Sequence, residues 1–313
     1  MRQGDPISPF LFVAVMEALS CLIDKAMELG IFFGIKLPND GPVLSHLFFA
    51  DDALIIGEWN ESNAFNIVRI LRCFHVCSRL RINLGKSNIY GIGVDLASVG
   101  NLAEVVGCKP DSLPFKYLGL KVGANMNRVN NWRPVYDVFE SRLALWKSAL
   151  LSIGGRITLI RLVLVSIPNY YFSLYKAPVK VVKDLECMIK KFLWGETNDI
   201  RKTHWVAWDK ISTSIKSDRL GICKLANVNK ALLCKWGWRY KKDSDNLWVK
   251  VVDAIHSGGA GWSFLPTKKS IGGVWNNVVS VINKPIVGNA RLRGFLGVRW
   301  EGGMISYSGW ILG

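Results

Sequence analysis

The longest apolar segment of the chain lies close to its start. Residues 10–23 carry one charged side chain, Glu17, and Ser8-Pro9 before them favours a helix N-cap followed by a proline in the first turn. Gly30 is a stop signal, so the pattern predicts one helix that ends at Leu29. Because this helix is apolar almost all round, we expect it to be buried against a sheet.

Two short strand-like runs follow at residues 47–50 and 53–56, and Asp51-Asp52 lies between them. This spacing predicts a hairpin whose two-residue turn consists of the aspartates. A charge without a partner is costly inside an apolar core, whereas the exposed tip of a hairpin tolerates two adjacent carboxylates.

The rest of the first third mixes helical and strand patterns. Residues 65–79 have the periodicity of an amphipathic helix, with Ser62 and Asn63 as candidate caps. Lys86 lies between two short apolar runs, and residues 115–122 predict a pair of short strands.

Beyond residue 127 the pattern becomes helical. Residues 146–167 predict two helices joined at Gly154-Gly155, and Pro168 ends the second helix. A further helix is predicted at residues 181–194. From residue 257 onward the sequence is rich in glycine and predicts no regular element.

The charge is distributed unevenly along the chain. Residues 1–120 hold 10 Lys+Arg and 12 Asp+Glu, a net charge of −2, whereas residues 121–313 hold 30 and 12, a net charge of +18. Twelve of the 13 tryptophans also lie beyond residue 120. A basic region rich in aromatic residues is typical of nucleic-acid binding, with a membrane surface as the competing interpretation.

The cysteines and the first residues narrow the class of protein further. Seven cysteines at irregular spacing indicate reduced thiols and an intracellular protein. Cys73, His75 and Cys77 do not share one face of a helix, which disfavours a zinc site. No apolar leader follows Met1, and residues 10–23 are too few to span a membrane.

The aspartate pair has a chemical and a structural interpretation. Hard cations such as Mg²⁺ take oxygen ligands, usually one or two carboxylates together with water and phosphate. A pair of such ions can hold the attacking and leaving oxygens of a phosphoryl transfer. The structural alternative is an ordinary turn, because aspartate is a common turn residue.

Four blocks occur in order: RQGDPISPFLF at residues 2–12, FADD at 49–52, LRINLGKS at 80–87 and YLGL at 117–120. Together they resemble the palm of a reverse transcriptase from a plant non-LTR retrotransposon of the long interspersed element type. Later stretches, including FLWG, HWVAW and NKALLCKWGWR, resemble the thumb and downstream region of the same proteins. The resemblance covers residues 2–255.

The resemblance implies an α+β fold, a polymerase palm with an antiparallel sheet and packed helices, followed by a mostly helical region. The implied division is a partial palm at residues 1–123, a thumb-like region at 124–200, a Trp-rich basic region at 201–256 and an irregular tail at 257–313.

In such enzymes the aspartate pair binds catalytic Mg²⁺, so the resemblance makes Asp51 a metal ligand and Asp52 its more peripheral partner. Lys86 matches a basic residue near the triphosphate, where it could stabilise the leaving pyrophosphate. A solvated loop lysine is the alternative interpretation of Lys86.

Other residues match the family's contacts to nucleotide and nucleic acid. The residues matching the nucleotide and template contacts are Gln3, Gly4, Pro6 and Ser8. Tyr117-Leu118-Gly119 matches the segment that grips the primer end, with a plain core strand as the alternative. The candidate phosphate contacts of the thumb are Lys147, Arg156 and Arg161.

Two tryptophan pairs of the downstream region, Trp205/Trp208 and Trp236/Trp238, could stack on bases. We expect at least half of these four side chains to pack in a core instead. Arg79 and Arg219 stand at two turn positions where the family usually has glycine.

The first catalytic aspartate of the family lies on a strand before the Arg-Gln-Gly-Asp-Pro block, at which this sequence begins. We therefore expect Mg²⁺ affinity and catalysis to collapse in this chain alone. The leading interpretation is a fragment of an RNA-directed DNA polymerase that uses an RNA template, a DNA primer, dNTPs and Mg²⁺. No membrane or protein partner is indicated, and a nuclear location is a family expectation.

The main alternative is a non-catalytic nucleic-acid-binding remnant of a retrotransposon protein. A product that does not fold stably and a maturase-like splicing helper rank lower.

Overall fold

The computed structural model describes residues 4–146, 151–195, 206, 208–211, 221–256, 265–268, 270–283, 285–287 and 290–291. The helices are α1 (Ser8–Glu28), α2 (Glu61–Ser78), α3 (Leu96–Val106), α4 (Arg133–Leu145), α5 (Ile153–Leu159), α6 (Asn169–Leu174), α7 (Val179–Trp194), α8 (Trp208–Ile211), α9 (Leu225–Lys242), α10 (Leu247–His256) and α11 (Val274–Ile282). The strands are β1 (Ile35–Lys36), β2 (Val43–Leu44), β3 (His46–Phe49), β4 (Asp52–Ile55), β5 (Asn88–Tyr90), β6 (Lys109–Asp111), β7 (Phe115–Tyr117), β8 (Leu120–Val122), β9 (Pro285–Val287) and β10 (Ala290–Arg291). The fold class is α+β, as the sequence predicts.

The chain divides into two compact units. Unit 1 comprises Met1–Pro134 and Ser244–Gly258, and unit 2 comprises Val135–Asp243 and Gly259–Gly313. Helix α10 belongs to unit 1 although it lies far downstream, and the Asn39 amide donates to the Ala254 carbonyl at 2.8 Å. The four-part division expected from the sequence stays a prediction.

The core of unit 1 supports the aspartate hairpin from one side. Its buried side chains come from α1, α2 and the turn after α1: Leu19, Ile23, Ala26, Phe32, Ile70 and Phe74. Phe48 of β3 and Ile55 of β4 pack against this cluster. Full burial of a large apolar side chain contributes about 1.5–3 kcal/mol. The packing of Phe48 and Ile55 against the cluster therefore helps to stabilise the position of the hairpin.

Helix α1 differs from the sequence expectation in two ways. Its buried residues lie only in its C-terminal half, whereas Phe10 is 77% and Val13 65% exposed. An apolar pattern states what a helix can bury but not what covers it, so the prediction of a fully buried helix was wrong. Ser8 is also the first helical residue and not the cap, because Ile7 occupies the N-cap position and no side chain caps this end of the helix. The Asp5 carboxylate accepts from the Ile7 amide at 3.0 Å, in the turn before the helix.

The start of α2 lies one turn earlier than the sequence suggests. Asn60 is the cap, and its side chain accepts from the Asn63 amide at 2.6 Å. Asn63 is buried and its own side chain bonds to both backbone groups of Phe33. Ser62 and Asn63 were predicted as caps, but the helix needs an acceptor just before its first turn, and Asn60 provides it.

The strands that the structure describes form two-stranded pairs. The pairs β1–β2, β3–β4, β7–β8 and β9–β10 are antiparallel, whereas β5 and β6 are parallel, with Ile89 opposite Pro110. Helix α3 lies between β5 and β6 in the chain, and such a crossover is the connection that a parallel pair requires.

Unit 2 is built from helices that pack around a core of its own. Fully buried members are Phe139, Ile160, Leu164, Phe172, Leu185, Ile189, Leu193, Ile222, Leu225 and Leu233. Gly154-Gly155 lies within the first turn of α5, because Ser152 caps this helix by accepting from the Gly155 amide at 3.1 Å. The prediction that the glycine pair joins two helices was therefore wrong by about half a turn.

No helix in the part of the chain that the structure describes is long and apolar enough to cross a lipid bilayer.

Candidate functional site

The aspartate hairpin is the strongest candidate for chemistry. In the β3–β4 ladder, Phe49 lies opposite Asp52, so the two-residue turn consists of Ala50 and Asp51. The sequence predicted the turn one residue later. Ala50 has a φ of 50°, a left-handed conformation that costs an L-residue roughly 1–2 kcal/mol. This strain lies directly beside the carboxylate at the tip.

The two carboxylates occupy different positions in the hairpin. Asp51 lies at the tip, outside the ladder, and Asp52 is the first residue of β4; both side chains are exposed. Carboxylate oxygens fit the ligand preference of Mg²⁺, which usually takes one or two protein carboxylates and completes its shell with water and phosphate. Among the described residues, no group of three or more His, Cys, Asp or Glu side chains could hold a metal ion. The pair therefore fits such an ion in kind, and its role as a metal ligand stays a prediction.

A second hairpin lies within electrostatic reach of Asp52. In β7–β8, Tyr117 pairs with Leu120, and the turn residues Leu118 and Gly119 have φ values of 47° and 79°. Positive φ at both positions is the geometry of a type I′ turn. Burial raises the pKa of the Tyr117 phenol, and the Asp52 carboxylate adds to the rise. The structure thus brings the predicted primer-gripping segment near the predicted metal site.

Tyr117's hairpin is tied to the parallel strand pair. The rings of Phe115 and Tyr90 stack with their centroids 4.2 Å apart. The Asn88 amide donates to the Tyr90 hydroxyl at 3.2 Å and to the Asp111 carboxylate at 3.0 Å. Burial raises the pKa of Tyr90, and Asp111 contributes to this rise.

His46 fixes the base of the aspartate hairpin to α1. Its ring lies 2.7 Å from the Ser20 hydroxyl of α1 and 2.9 Å from the Ser45 hydroxyl, so both nitrogens have partners. The ring also lies against Phe48, with centroids 4.7 Å apart. A ring held at two nitrogens sets the orientation of β3, and thereby of the tip that β3 carries.

The structure describes only part of the block of residues that precedes α1. Gln3 lies outside the described residues. Gly4 has a φ of 90° with open space around its α-carbon, a conformation that suits glycine. Pro6 is exposed and Ser8 is half-buried at the start of α1. Their roles as nucleotide and template contacts stay predictions.

Lys86 ends the 3-10 turn Leu84–Lys86, and its side chain is exposed. No hydrogen bond or ion pair of the described residues joins it to Asp51 or Asp52, so its part in the site also stays a prediction.

The predicted thumb contacts have different surroundings. Lys147 lies outside the described residues. The Arg156 guanidinium donates to the carbonyls of Leu151 at 3.1 Å and Leu193 at 2.9 Å, so it closes the end of α7. Arg161 is exposed on the π-helical turn Ile160–Leu164. Arg161 is thus better placed than Arg156 for a phosphate.

The tryptophan pairs divide between interior and surface. Trp205 lies outside the described residues, and the Trp208 indole donates to Glu186 at 3.2 Å beneath Lys190. The Trp236 indole donates to the Ser173 carbonyl. Trp238 is 51% exposed. Trp208 and Trp236 therefore bond inside unit 2, whereas Trp238 faces outward.

Comparison with known proteins finds one matching family. Residues 1–122, which contain both hairpins, match the family described as reverse transcriptase (RNA-dependent DNA polymerase). The match covers the first 122 of the 313 residues, and the relatives include a transposon protein.

Several relatives overlap the chain. One relative is an Arabidopsis thaliana protein that bears the name of a ribonuclease H protein. It is 32% identical over 125 residues, which are 40% of this chain and 20% of that protein. An uncharacterized mitochondrial protein of Arabidopsis thaliana is 50% identical over 52 residues, 17% of this chain and 43% of that protein. The uncharacterized 149 kDa protein of transposon TX1 from Xenopus laevis is 27% identical over 229 residues, 71% of this chain and 16% of that protein. The chain thus spans less than half the length of each.

Sequence reasoning missed the residues that position the site. The proximity of Tyr117 to Asp52 and the hydrogen bond of His46 to Ser20 of α1 arise from contacts between elements. Of these features, only the position of His46, directly before the apolar residues of β3, could have been noticed in the sequence.

Proposed function

We propose that residues 1–122 act as part of the palm of an RNA-directed DNA polymerase, with Asp51 as a ligand of catalytic Mg²⁺ and Asp52 as its neighbour. The observation that supports this most is the tip of the β3–β4 hairpin, where Asp51 projects beside a strand whose first residue lies near Tyr117. When bound, Mg²⁺ neutralises the phosphate charge that builds up during nucleotidyl transfer.

The chain's own residues have distinct parts in this proposal. Asp51 holds the ion, and the Tyr117-Leu118-Gly119 turn supports the primer end close to it. Lys86 offers a cation for the leaving pyrophosphate. Gln3 and Gly4 contact the incoming nucleotide and template; Gly4 allows close approach because it has no side chain.

A weak metal site can be tested directly on the 313-residue chain. With Mn²⁺ as a paramagnetic probe, we expect NMR signals of residues 49–53 to broaden selectively. Asp51→Ala removes the broadening, because the ligand at the tip is lost. Asp40→Ala is the matched control, since Asp40 is an exposed aspartate in a different hairpin turn. Equal broadening in Asp51→Ala and the wild type would refute the assignment.

We further propose that the 313-residue chain alone does not extend a primer, because among the described residues no third His, Cys, Asp or Glu side chain joins Asp51 and Asp52 in a group that could hold a metal ion. On an RNA template with a DNA primer, dNTPs and Mg²⁺, we expect no product above that of Asp51→Ala. Extension that depends on Asp51 would contradict this and show that the site is complete.

A second candidate function is nucleic-acid binding without catalysis. The net charge of +18 on residues 121–313 favours it. Binding of a labelled oligonucleotide should then weaken steeply as salt rises, and Asp51→Ala should leave it unchanged. Absent or salt-independent binding would exclude this function.

A further inference from the structure

Helix α9 carries basic side chains and no acidic ones. Its 18 residues, LANVNKALLCKWGWRYKK, contain no aspartate or glutamate. Its buried residues are Leu225, Asn229, Leu233 and Gly237. These face the interior of unit 2, where α9 packs against α6, α7 and α11.

The opposite side of α9 places lysines around one tryptophan. Lys235 and Lys242 lie three residues before and four residues after Trp238, so helical periodicity puts them on the same side as this indole. Lys230, eight residues before Trp238, lies about 80° around the helix on the other flank of the indole. All four side chains are exposed. We name these residues the α9 outer face; Lys230 to Lys242 covers about 18 Å along the helix axis.

Trp238 contrasts with its neighbour Trp236. The Trp236 indole donates to the Ser173 carbonyl, and the centroid of its ring lies 4.9 Å from the Arg239 guanidinium carbon. Contacts within unit 2 therefore account for the position of Trp236. Trp238 is 51% exposed and contributes a large planar surface to solvent. Arg239 in turn pairs with Asp243 at 3.1 Å, so the acidic group nearest the end of α9 is engaged there.

The acidic side chains of α7 also point to internal partners. Glu186 accepts from the Leu225 amide at 3.0 Å and from the Trp208 indole. Asp184 accepts from the Tyr136 hydroxyl at 3.1 Å. Both carboxylates of α7 therefore have partners within unit 2. Helix α9 has no acidic side chain of its own to balance the lysines of the α9 outer face.

We propose that the α9 outer face is a binding site for single-stranded nucleic acid, on which Trp238 stacks one base while Lys230, Lys235 and Lys242 contact phosphates. Charge complementarity and the exposed indole support this occupant, because single strands offer both phosphates and unpaired bases. A paired base is unavailable for stacking, which favours single strands over duplexes. The inference rests on the second candidate function and is independent of Asp51.

The test uses the full chain, a fluorescein-labelled 20-nucleotide oligo(dT) and fluorescence anisotropy at several salt concentrations. Trp238→Ala should weaken binding about tenfold, and Trp238→Phe should retain most of the affinity, since stacking needs only an aromatic ring. The affinity for a duplex of the same length should be the same in Trp238→Ala and wild type.

A triple substitution tests the lysines. Lys230→Ala/Lys235→Ala/Lys242→Ala should reduce the slope of log affinity against log salt by about 2, the value for three phosphate contacts on a single strand. The matched control is Lys25→Ala/Lys36→Ala/Lys109→Ala, which removes the same charge from exposed positions of unit 1. This control should keep the wild-type slope.

The outcomes separate the two levels of the proposal. Lack of binding by the wild type overturns nucleic-acid binding as a whole. Wild-type binding with equal losses in the two triple variants overturns only the assignment to α9. A Trp238→Ala variant that loses duplex and single-strand affinity equally overturns the stacking role.

Discussion

Left-handed backbone conformations mark three non-glycine residues at critical turns of unit 1. Ala50 lies beside Asp51, Arg79 ends α2 and Leu118 begins the second hairpin turn, with φ values of 50°, 61° and 47°. Such a conformation costs an L-residue other than asparagine or aspartate roughly 1–2 kcal/mol. Two of the three lie in the proposed site, where strain at a functional turn is common.

Arg79→Gly should stabilise unit 1. Arg79 is the left-handed residue after α2, the position that glycine favours, and its side chain is exposed. We expect the free energy of unfolding to rise by about 0.5–1 kcal/mol, measured by urea denaturation, after allowance for the greater entropy of the unfolded glycine chain. Arg81→Gly, at an exposed position without positive φ, should give no gain; equal gains would show that the strain at residue 79 is not the cause.

Tyr136 predicts a loss of stability at high pH. Burial, followed by the hydrogen bond to Asp184 and the charge of Asp184, raises its pKa from 10.0 to about 12. Because the folded pKa is above the unfolded one, the contribution of the neutral phenol is complete below pH 10 and disappears as pH rises to about 12.

The decline between pH 10 and 12 should therefore be shallower in Tyr136→Phe than in the wild type when unfolding is followed in urea. Tyr170→Phe, at a residue 48% exposed, is the control and should keep the wild-type decline. Identical pH profiles for Tyr136→Phe and the wild type would contradict the assigned cause.

Asn229 connects three segments of unit 2. It is buried in α9, its side-chain oxygen accepts from the Ala177 amide at 3.0 Å, and its amide donates to the carbonyls of Phe172 and Tyr175. The end of α6 and the start of α7 therefore both depend on one side chain of α9.

Asn229→Ala should lower the free energy of unfolding by about 2–4 kcal/mol, because it leaves buried backbone groups without partners. Asn227→Ala, two residues earlier on the exposed side of the same helix, should change it by less than about 0.5 kcal/mol. Similar losses in both variants would mean that helix propensity and not the hydrogen bonds sets the effect. Thermal denaturation followed by circular dichroism measures both.

The exposed apolar positions of α1 predict self-association of the 313-residue chain. Phe10 and Val13 lie on one side of α1 and are 77% and 65% exposed. Apolar surface of this kind favours contacts between molecules. In sedimentation velocity, Phe10→Gln/Val13→Gln should shift the weight-average sedimentation coefficient toward the monomer.

Leu145→Gln/Leu162→Gln replaces side chains that are 70% and 71% exposed elsewhere, and it is the control. If both double variants shift association equally, general hydrophobicity and not α1 is responsible.

Much of the site could be predicted from sequence because its signals are local. The run around Asp51-Asp52, the strand pair at residues 115–122 and the glycine of its turn appear as alternation and turn chemistry over a few residues. The error of one residue in the hairpin turn, and that of two or three residues in the cap of α2, arose because several neighbouring polar residues suit these positions equally well. Tertiary contacts, such as Asn63 with Phe33, decide among them.

The sequence by itself determined the fold class, the positions of the main helices, the aspartate hairpin and the basic character of residues 121–313, because periodicity, turn residues and charge can be read from short stretches of sequence. The tertiary structure decided which apolar face is covered, that α10 belongs with unit 1, that Tyr117 lies near Asp52, and that Trp236 faces inward while Trp238 faces outward. These facts depend on which distant side chains meet, and a local pattern carries no information about its partner.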